Sequence, residues 1–335
     1  MSKDSQTLSA YQKDFDEIYQ MILEAQSKTW SAINTQLIQL YWSIGKYIFN
    51  KTRNDNWGKS TVEVLAEYIH QHHLPVKGFS ARNIWRMKQF YENYEDTKLS
   101  TLLTEISWSN HLHILSKTKT LEEKYYYLEL GFKNRYSARE LARLIDSGTF
   151  ERTLIADQKL SSVMTVFPSD IKGVFKDSYV FEFLELPENH LENDLRKALI
   201  TNLKKFLLEL GPDFTLMGEE YTIQVGMKDF KIDLLMFHRG LNCMVAIELK
   251  STEFKPAHLG QLQFYLEVLD KDVKKPHENP SIGILICKTK DDEVVKYALN
   301  RHASPTMIAD YETKFIKKSL LEKKLHEISQ ALELE

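Results

Sequence analysis

The chain has little cysteine and no long apolar run. Its two cysteines, Cys243 and Cys287, lie in separate apolar, strand-like segments and form no CxxC pair. This arrangement predicts reduced core thiols in a cytoplasmic protein, and it argues against a disulfide framework or a zinc site. A membrane span needs about 18 consecutive apolar residues, and the sequence has no such run. The first residues also lack the apolar core of a signal peptide, so we expect none.

The chain also lacks a strong excess of one charge. Lysine and arginine number 44 against 47 acidic residues, which gives a formal net charge of −3. Global charge therefore gives no argument for nucleic-acid binding, and any such surface has to be a local basic patch. The length of 335 residues favours two domains, each long enough to bury a core of its own.

The N-terminal half has apolar residues at helical spacing. Ser80 is the predicted N-cap of one helix, and Ser137 with Glu140 forms a capping-box pattern at the start of another. The periodicity predicts helices over residues 14–44 and beyond, 61–70, 81–94, 107–117 and 121–131, and from 137 onwards.

The C-terminal half follows the order α-β-β-β-α-β. Periodicity is lost over residues 147–170, where we predict the linker, so the predicted domains are residues 1–155 and 156–335. The expected fold class is α+β, with a mainly α-helical N-terminal domain before an α/β domain. The predicted C-terminal elements are a helix over 191–210, strands near 214–225, 229–237 and 243–250, a helix over 257–269, a strand over 282–287, a helix over 291–300, a strand near 306–310 and a helix over 314–332.

Three polar residues stand out in the segment KDFKIDLLMFHRGLNCMVAIELK. It predicts a β-hairpin with a short loop around Gly240 and Leu241, and this register sets Asp233 opposite, or nearly opposite, Glu248. Alternation along a strand puts Glu248 and Lys250 on the same face. Directly opposed residues have Cβ atoms roughly 5 Å apart, so we expect the three side chains to converge.

The chemistry of this triplet suits metal-assisted hydrolysis of a phosphodiester. Paired carboxylates bind hard divalent cations, and a nearby lysine can orient water or offset developing phosphate charge. Charged residues at strand ends are usually solvated or paired with one another. Glu248, however, follows the apolar run Met-Val-Ala-Ile, where a charge is rarely found without a partner.

An aspartate, a hairpin and Glu-Leu-Lys together resemble the signature of the PD-(D/E)XK nuclease superfamily, and residues 15–320 are similar to the YhcG-like family. The resemblance implies that Asp233, Glu248 and the backbone carbonyl of Leu249 bind Mg²⁺ (or Mn²⁺), and that Lys250 positions the attacking water. It also implies that the C-terminal α/β domain is restriction-endonuclease-like with a mixed sheet, and that Glu192 is an acidic ligand. A surface carboxylate in a first helical turn is an equally good interpretation of Glu192.

Gln261 and Tyr265 lie one helical turn apart and therefore share a helix face. They resemble the Gln-X-X-X-Tyr motif of the RecB-like branch, where these residues border the active site and are counted with the catalytic group. The alternative is that Tyr265 packs in the core while Gln261 caps a polar patch.

Two arginine-bearing segments are candidates for nucleic-acid contact. Basic side chains at helical spacing can neutralise phosphates and release counterions, and the turn before Ala81 is compatible with a helix-turn-helix-like module. The alternative is that these are solvated helix faces. The candidate DNA-binding residues are Arg82, Arg86 and Lys88 in the first segment and Arg135, Arg139 and Arg143 in the second.

The sequence therefore predicts a magnesium-dependent endonuclease that hydrolyses DNA in repair, recombination or anti-phage defence. A homodimer is expected, because cutting two strands with one site per chain favours pairing. The resemblance also implies partner proteins of restriction-modification or other defence systems. The alternative is a catalytically silent DNA-binding or assembly subunit, and RNA remains open as a substrate.

Overall fold

The structure is a computed structural model that describes most of the chain. The predicted helix from residue 14 lies outside the described residues up to residue 31. The described residues are 32–54, 57–72, 78–95, 101–165, 167–168, 170–187, 189–300 and 302–333.

The chain divides into two compact units, Met1–Ala142 and Arg143–Glu335. This division falls before the boundary predicted between residues 155 and 156. The segment predicted as a linker instead contains a helix, Thr149–Gln158, with a mostly buried surface. Sequence periodicity missed this helix because several of its buried residues are polar, which hides the apolar pattern. Independent folding of residues 1–155 and 156–335 stays a prediction.

Within its described residues, the first unit is helical, as predicted. Ser80 caps its helix by accepting a hydrogen bond from the Asn83 N–H, and the Ser137–Glu140 capping box is present. The helices are α1 (residues 32–54), α2 (Lys59–His72), α3 (Ala81–Tyr94), α4 (Thr101–Glu105), α5 (Trp108–Lys117), α6 (Leu121–Asn134) and α7 (Ala138–Asp146), of which α7 crosses the division between the units.

The core of the first unit is rich in aromatic side chains. Phe90 on α3 is fully buried, and its ring contacts those of Trp42 and Trp108 at centroid distances of 5.5 Å each. The edge-to-face geometry of these pairs is the favourable one for aromatic rings. The tryptophans of this core therefore pack the helices together.

The second unit contains a sheet with helices on its faces. After α8 (Thr149–Gln158), the elements are α9 (Ser162–Thr165), β1 (Ser178–Val180), α10 (Glu192–Thr201), α11 (Leu203–Leu210), β2 (Phe214–Val225), β3 (Lys228–His238), β4 (Cys243–Glu253), α12 (His258–Val268) with a π-helical turn (Leu269–Val273), β5 (Ile282–Thr289), α13 (Asp292–Leu299), β6 (Thr306–Glu312) and α14 (Lys318–Glu333).

The sheet is mixed and has six strands in the order β1-β6-β5-β4-β3-β2. Strands β2, β3 and β4 pair antiparallel, whereas β4, β5, β6 and β1 pair parallel. Helices α10 and α11 pack on one face of the sheet, and α12 and α13 pack on the other. This is the predicted α+β, restriction-endonuclease-like arrangement, with the short strand β1 as an addition that periodicity did not detect.

Helix α12 approaches β5 closely because of one glycine. A Cβ atom added at Gly283 would lie 2.8 Å from Cγ and Cδ2 of Leu262, which is closer than side chains pack. The glycine therefore lets α12 lie against the sheet beside the end of β4. The predicted helix over 191–210 is interrupted at Asn202, whose backbone is not helical, so α10 and α11 are separate helices.

Among the described residues, no helix is long and apolar enough to cross a membrane.

Candidate active site

The β3–β4 hairpin has the predicted register. Its pairs run from His238–Cys243 to Leu234–Ile247, so the next position along the hairpin puts Asp233 across from Glu248. At this position the backbone pairing between β3 and β4 ends, and carboxylate side chains accept the hydrogen bonds of the backbone N–H groups. The Asp233 N–H donates to Oε1 of Glu248 at 3.4 Å, and the Leu249 N–H donates to Oδ2 of Asp233 at 2.9 Å. These two hydrogen bonds fix both carboxylates at the end of the hairpin.

The two carboxylates are costly to ionise together. Glu248 is only 2% exposed, and burial, with the neighbouring charge of Asp233, raises the pKa of Glu248 to about 8. Burial also raises the pKa of Asp233, although the Leu249 N–H and Lys250 oppose that change. A positive ion between these groups would stabilise their charged forms.

Lys250 lies among carboxylates at the end of the hairpin. Its Nζ is 3.6 Å from Oε2 of Glu248 and 3.3 Å from Oε2 of Glu192, the first residue of α10. Burial would lower the pKa of Lys250, but Glu248 and Glu192 outweigh it and raise that pKa. Lys250 is therefore an ammonium at neutral pH, suited to donating hydrogen bonds and offsetting negative charge.

Gln261 and Tyr265 share a face of α12, as their spacing predicts. Gln261 Nε2 donates to the Tyr265 hydroxyl at 2.7 Å, and Tyr265 is buried. Burial raises the pKa of Tyr265, and the charges of Glu248 and Asp233 raise it further. The tyrosine therefore packs in the core and also lies close to the carboxylates, so the two interpretations of this residue are compatible.

Sequence reasoning missed two charged residues at this site, Arg196 and Glu220. Arg196 Nη1 is 3.8 Å from Oδ1 of Asp233, and Nη2 is 3.2 Å from Oε2 of Glu220. Arg196 lies four residues after Glu192, so helical spacing could have found it. No sequence signal marks Glu220, because its position depends on the β2–β3 register and on a left-handed backbone with φ of 44°.

The Asp233–Glu248 pair fits a divalent metal that retains water ligands. Within the described part of the chain, no group of three or more Asp, Glu, His or Cys side chains converges as a metal-binding set. Mg²⁺ typically takes one or two carboxylates and keeps several waters, so the buried Glu248 and the half-buried Asp233 meet its needs. Glu192 is joined to this site by its ion pair with Lys250, and its charge also raises the pKa of Asp233.

The first group of candidate DNA-binding residues lies on α3. Arg82 is exposed and Arg86 is half-buried; both line a groove of about 420 Å³ that also includes Trp85 and Glu63. The ammonium of Lys88 pairs with Glu92 on the same helix, and its contact with DNA stays a prediction.

The second group does not form the predicted stripe. Arg135 ends α6 in a left-handed conformation, whereas Arg139 belongs to α7, so the four-residue spacing does not follow one helix. Both side chains are exposed. The prediction for Arg143 is wrong, because its guanidinium is held by Glu182 at 2.8 Å and Glu209 at 2.9 Å and is only 13% exposed.

Comparison with known proteins gives two family matches. Residues 172–326 match the YhcG PDDEXK nuclease domain, and residues 17–152 match the DUF1016 N-terminal domain. The chain is also 26% identical over 344 residues to the Escherichia coli (strain K12) protein named "Putative nuclease YhcG", a similarity that covers 91% of each chain. No solved structure matches the chain significantly.

Proposed function

The chain combines a DUF1016 N-terminal domain with a YhcG PDDEXK nuclease domain, and from this premise we propose that it is a metal-dependent endonuclease acting on DNA. The observation that carries the proposal is the pair of the half-buried Asp233 and the buried Glu248 at the end of the hairpin. Asp233, Glu248 and the backbone carbonyl of Leu249 would hold Mg²⁺ or Mn²⁺, and Glu192 would complete the set through water.

When bound, a divalent metal stabilises the charge that develops on the scissile phosphate. The residues of the chain supply orientation and further charge. Lys250, held as an ammonium by Glu248 and Glu192, orients the attacking water and donates to a phosphate oxygen. Gln261 and Tyr265 form the wall of the site on the α12 side. Attack of the water oxygen on phosphorus forms a new P–O bond and breaks the bond from phosphorus to the leaving sugar oxygen in one displacement. The attacking water releases a proton to solvent, and the leaving oxygen takes one up from solvent.

The groove on α3 is the proposed contact for the rest of the nucleic acid. Arg82 and Arg86 line it beside Trp85, and guanidinium groups bind phosphates through paired hydrogen bonds. Arg135 and Arg139 are exposed and belong to the same proposal. We also propose a cytoplasmic homodimer, with a role in DNA repair, recombination or defence beside restriction-modification partners.

The test is a cleavage panel of linear, branched and single-stranded DNA with Mn²⁺ or Mg²⁺. The wild type should cleave at least one form, and Asp233→Ala should lose that activity. Asp229→Ala is the matched control, because Asp229 is an exposed aspartate on the same strand. Equal cleavage by the wild type and Asp233→Ala would contradict the proposal for these substrates.

A catalytically silent DNA-binding or assembly subunit is the second candidate. It is favoured by the absence, among the described residues, of three converging metal-ligating side chains. Stabilisation by magnesium that is lost in Glu248→Ala would favour the nuclease. DNA binding without any metal-dependent stabilisation would favour the silent subunit.

A further inference from the structure

Arg196 is a cation at the active-site end of the hairpin that the mechanism above does not use. It lies one turn after Glu192 on α10, and its side chain is only 13% exposed. Its Nη2 donates to Oδ1 of Asn193 at 2.7 Å and lies 3.2 Å from Oε2 of Glu220. One edge of the guanidinium is thus anchored on two acceptors.

The other edge of the same guanidinium points at the metal-binding carboxylates. Nη1 is 3.8 Å from Oδ1 of Asp233, which is an ion-pair distance but too long for a hydrogen bond. Oδ2 of Asp233 already accepts the N–H of Leu249. Asp233 is therefore oriented by the backbone, and the looser contact with Arg196 adds charge without fixing its geometry.

Glu220 holds the guanidinium from an unusual backbone position. The β2–β3 pairs Glu219–Leu234 and Tyr221–Ile232 flank it, so Glu220 lies across from Asp233 in the sheet. Its φ of 44° is left-handed, a strained conformation for a non-glycine residue that is found most often at functional sites. The strain brings the Glu220 carboxylate to Arg196 and, at 3.5 Å, to Lys231.

The charges around the site leave a role for Arg196. Four carboxylates, those of Glu192, Glu220, Asp233 and Glu248, surround Lys250 and Arg196. A phosphodiester entering this site brings another negative charge. Lys250 and Arg196 are each close to two carboxylates, but the Nη1 edge of Arg196 lies too far from Asp233 for a hydrogen bond. A guanidinium held in this way matches a phosphate oxygen in shape and charge.

We propose that Arg196 binds a phosphate of the DNA beside the metal ligands, and that Glu220 and Asn193 fix the guanidinium for this contact. The inference rests on the proposed nuclease function and deepens it by assigning a substrate contact. Arg196 is then a catalytic residue in the sense that it touches substrate, and Glu220 is a positioning residue.

The first measurement is the salt dependence of binding between the full chain and a short labelled DNA duplex, with Ca²⁺ in place of the catalytic metal. Loss of one phosphate contact lowers the slope of log K against log salt concentration by about 1. Arg196→Ala should show this decrease and bind roughly tenfold more weakly at moderate salt. Arg196→Lys keeps the charge and should keep the slope. Lys197→Ala, an exposed neighbour on α10, is the matched control and should resemble the wild type.

The second measurement is Mn²⁺ binding, followed by calorimetry and by thermal unfolding. Arg196→Ala should bind Mn²⁺ as tightly as the wild type or more tightly, because a cation 3.8 Å from Asp233 has been removed. If alanine itself lowers the melting temperature, Arg196→Gln replaces it, since glutamine retains a donor for Asn193 and Glu220.

Three results would overturn the assignment. They are an unchanged salt slope in Arg196→Ala, a wild type that does not bind the duplex, and weaker Mn²⁺ binding in Arg196→Ala, which would make Arg196 a support for Asp233. A different result would contradict the proposed nuclease function alone. In that case the wild type binds DNA through Arg196 but shows no metal-dependent cleavage.

Discussion

Two buried glutamates in the second unit have opposite electrostatic surroundings. Glu209 on α11 and Glu248 on β4 are both almost fully inaccessible to solvent. Burial raises the pKa of each, yet the pKa of Glu209 is lowered to about 2 because Arg152, Lys176 and Arg143 outweigh burial. The pKa of Glu248 rises to about 8, because burial and Asp233 outweigh Lys250.

Both carboxylate oxygens of Glu209 have arginine partners within the protein. Its Oε1 pairs with Nη1 of Arg152 and accepts the N–H of Val180 at 2.9 Å. Its Oε2 accepts from Arg143 at 2.9 Å. Arg152 is itself fully buried and donates to the carbonyl of Ser178 at 2.7 Å. This network joins α7, α8 and α11 to β1. It compensates the charge of Glu209 without a bound ion.

The surroundings of Glu248 lack a matching positive charge. The difference teaches that burial alone does not mark a functional carboxylate, because the decisive feature is whether the protein supplies the compensating cation. At Glu209 arginines supply it, and the group is structural. Glu248 shares Lys250 with Glu192, and Asp233 shares the more distant Arg196 with Glu220, so a bound ion would complete the balance.

The largest expected effect is at the structural glutamate. Glu209→Gln leaves the fully buried Arg152 without its countercharge and leaves Arg143 with Glu182 alone, so we expect a loss of about 3–5 kcal/mol in the free energy of unfolding. Urea unfolding followed by circular dichroism measures it. Glu129→Gln, at an exposed ion pair with Lys133, is the control and should change stability by less than about 1 kcal/mol. Similar stabilities for the two variants would contradict the structural role of Glu209, and with it the contrast between Glu209 and Glu248.

A substitution at Glu248 should raise the free energy of unfolding of the metal-free protein, whereas Glu209→Gln should lower it. The folded-state pKa of about 8 exceeds the usual 4.5, so the folded protein holds a proton that the unfolded chain releases between these values. Stability of the metal-free protein should therefore fall as pH rises from 4.5 to 8, by at most about 1.4 kcal/mol for each pH unit. Glu248→Gln removes this penalty.

The measurement for Glu248 is the melting temperature as a function of pH in a chelating buffer. Near pH 8 the glutamine variant should melt above the wild type, whereas near pH 4.5 the two should coincide. A glutamine variant that is less stable than the wild type at pH 8 would mean that Glu248 is compensated within the protein, like Glu209.

The smallest expected effect on stability is at Glu192, which is 43% exposed in its pair with Lys250. Glu192→Gln should change the free energy of unfolding by less than about 1 kcal/mol. The informative property of the Glu192→Gln variant is its affinity for Mn²⁺, which calorimetry measures. A tenfold or greater loss would assign Glu192 to the metal site. An unchanged affinity would leave it as the residue that holds Lys250.

The hairpin was predictable because its information is local. Alternation of apolar residues opposes a one-residue slip, and this fixed the relation of Asp233 to Glu248. The Glu209 network was not predictable, because its arginines lie 57 and 66 residues away in sequence. Arg143 was assigned to DNA from helical spacing alone, and spacing does not reveal a partner on another element.

Elements with little periodicity were also missed. Strand β1 has three residues, too few to show alternation, and α8 carries Arg152 and Glu151 in buried positions, which hides its apolar face. Glu220 depends on a left-handed backbone position that no residue preference indicates, since glutamate rarely adopts it.

The most direct test of the metal site is the melting temperature of the wild type and of Glu248→Gln during titration with Mn²⁺ at pH 8. A ligand that binds only the folded state raises stability in proportion to the logarithm of its concentration above Kd. The wild type should therefore melt at progressively higher temperature as Mn²⁺ increases, while Glu248→Gln should not respond. A wild type without this shift, or an equal shift in both proteins, would contradict the account.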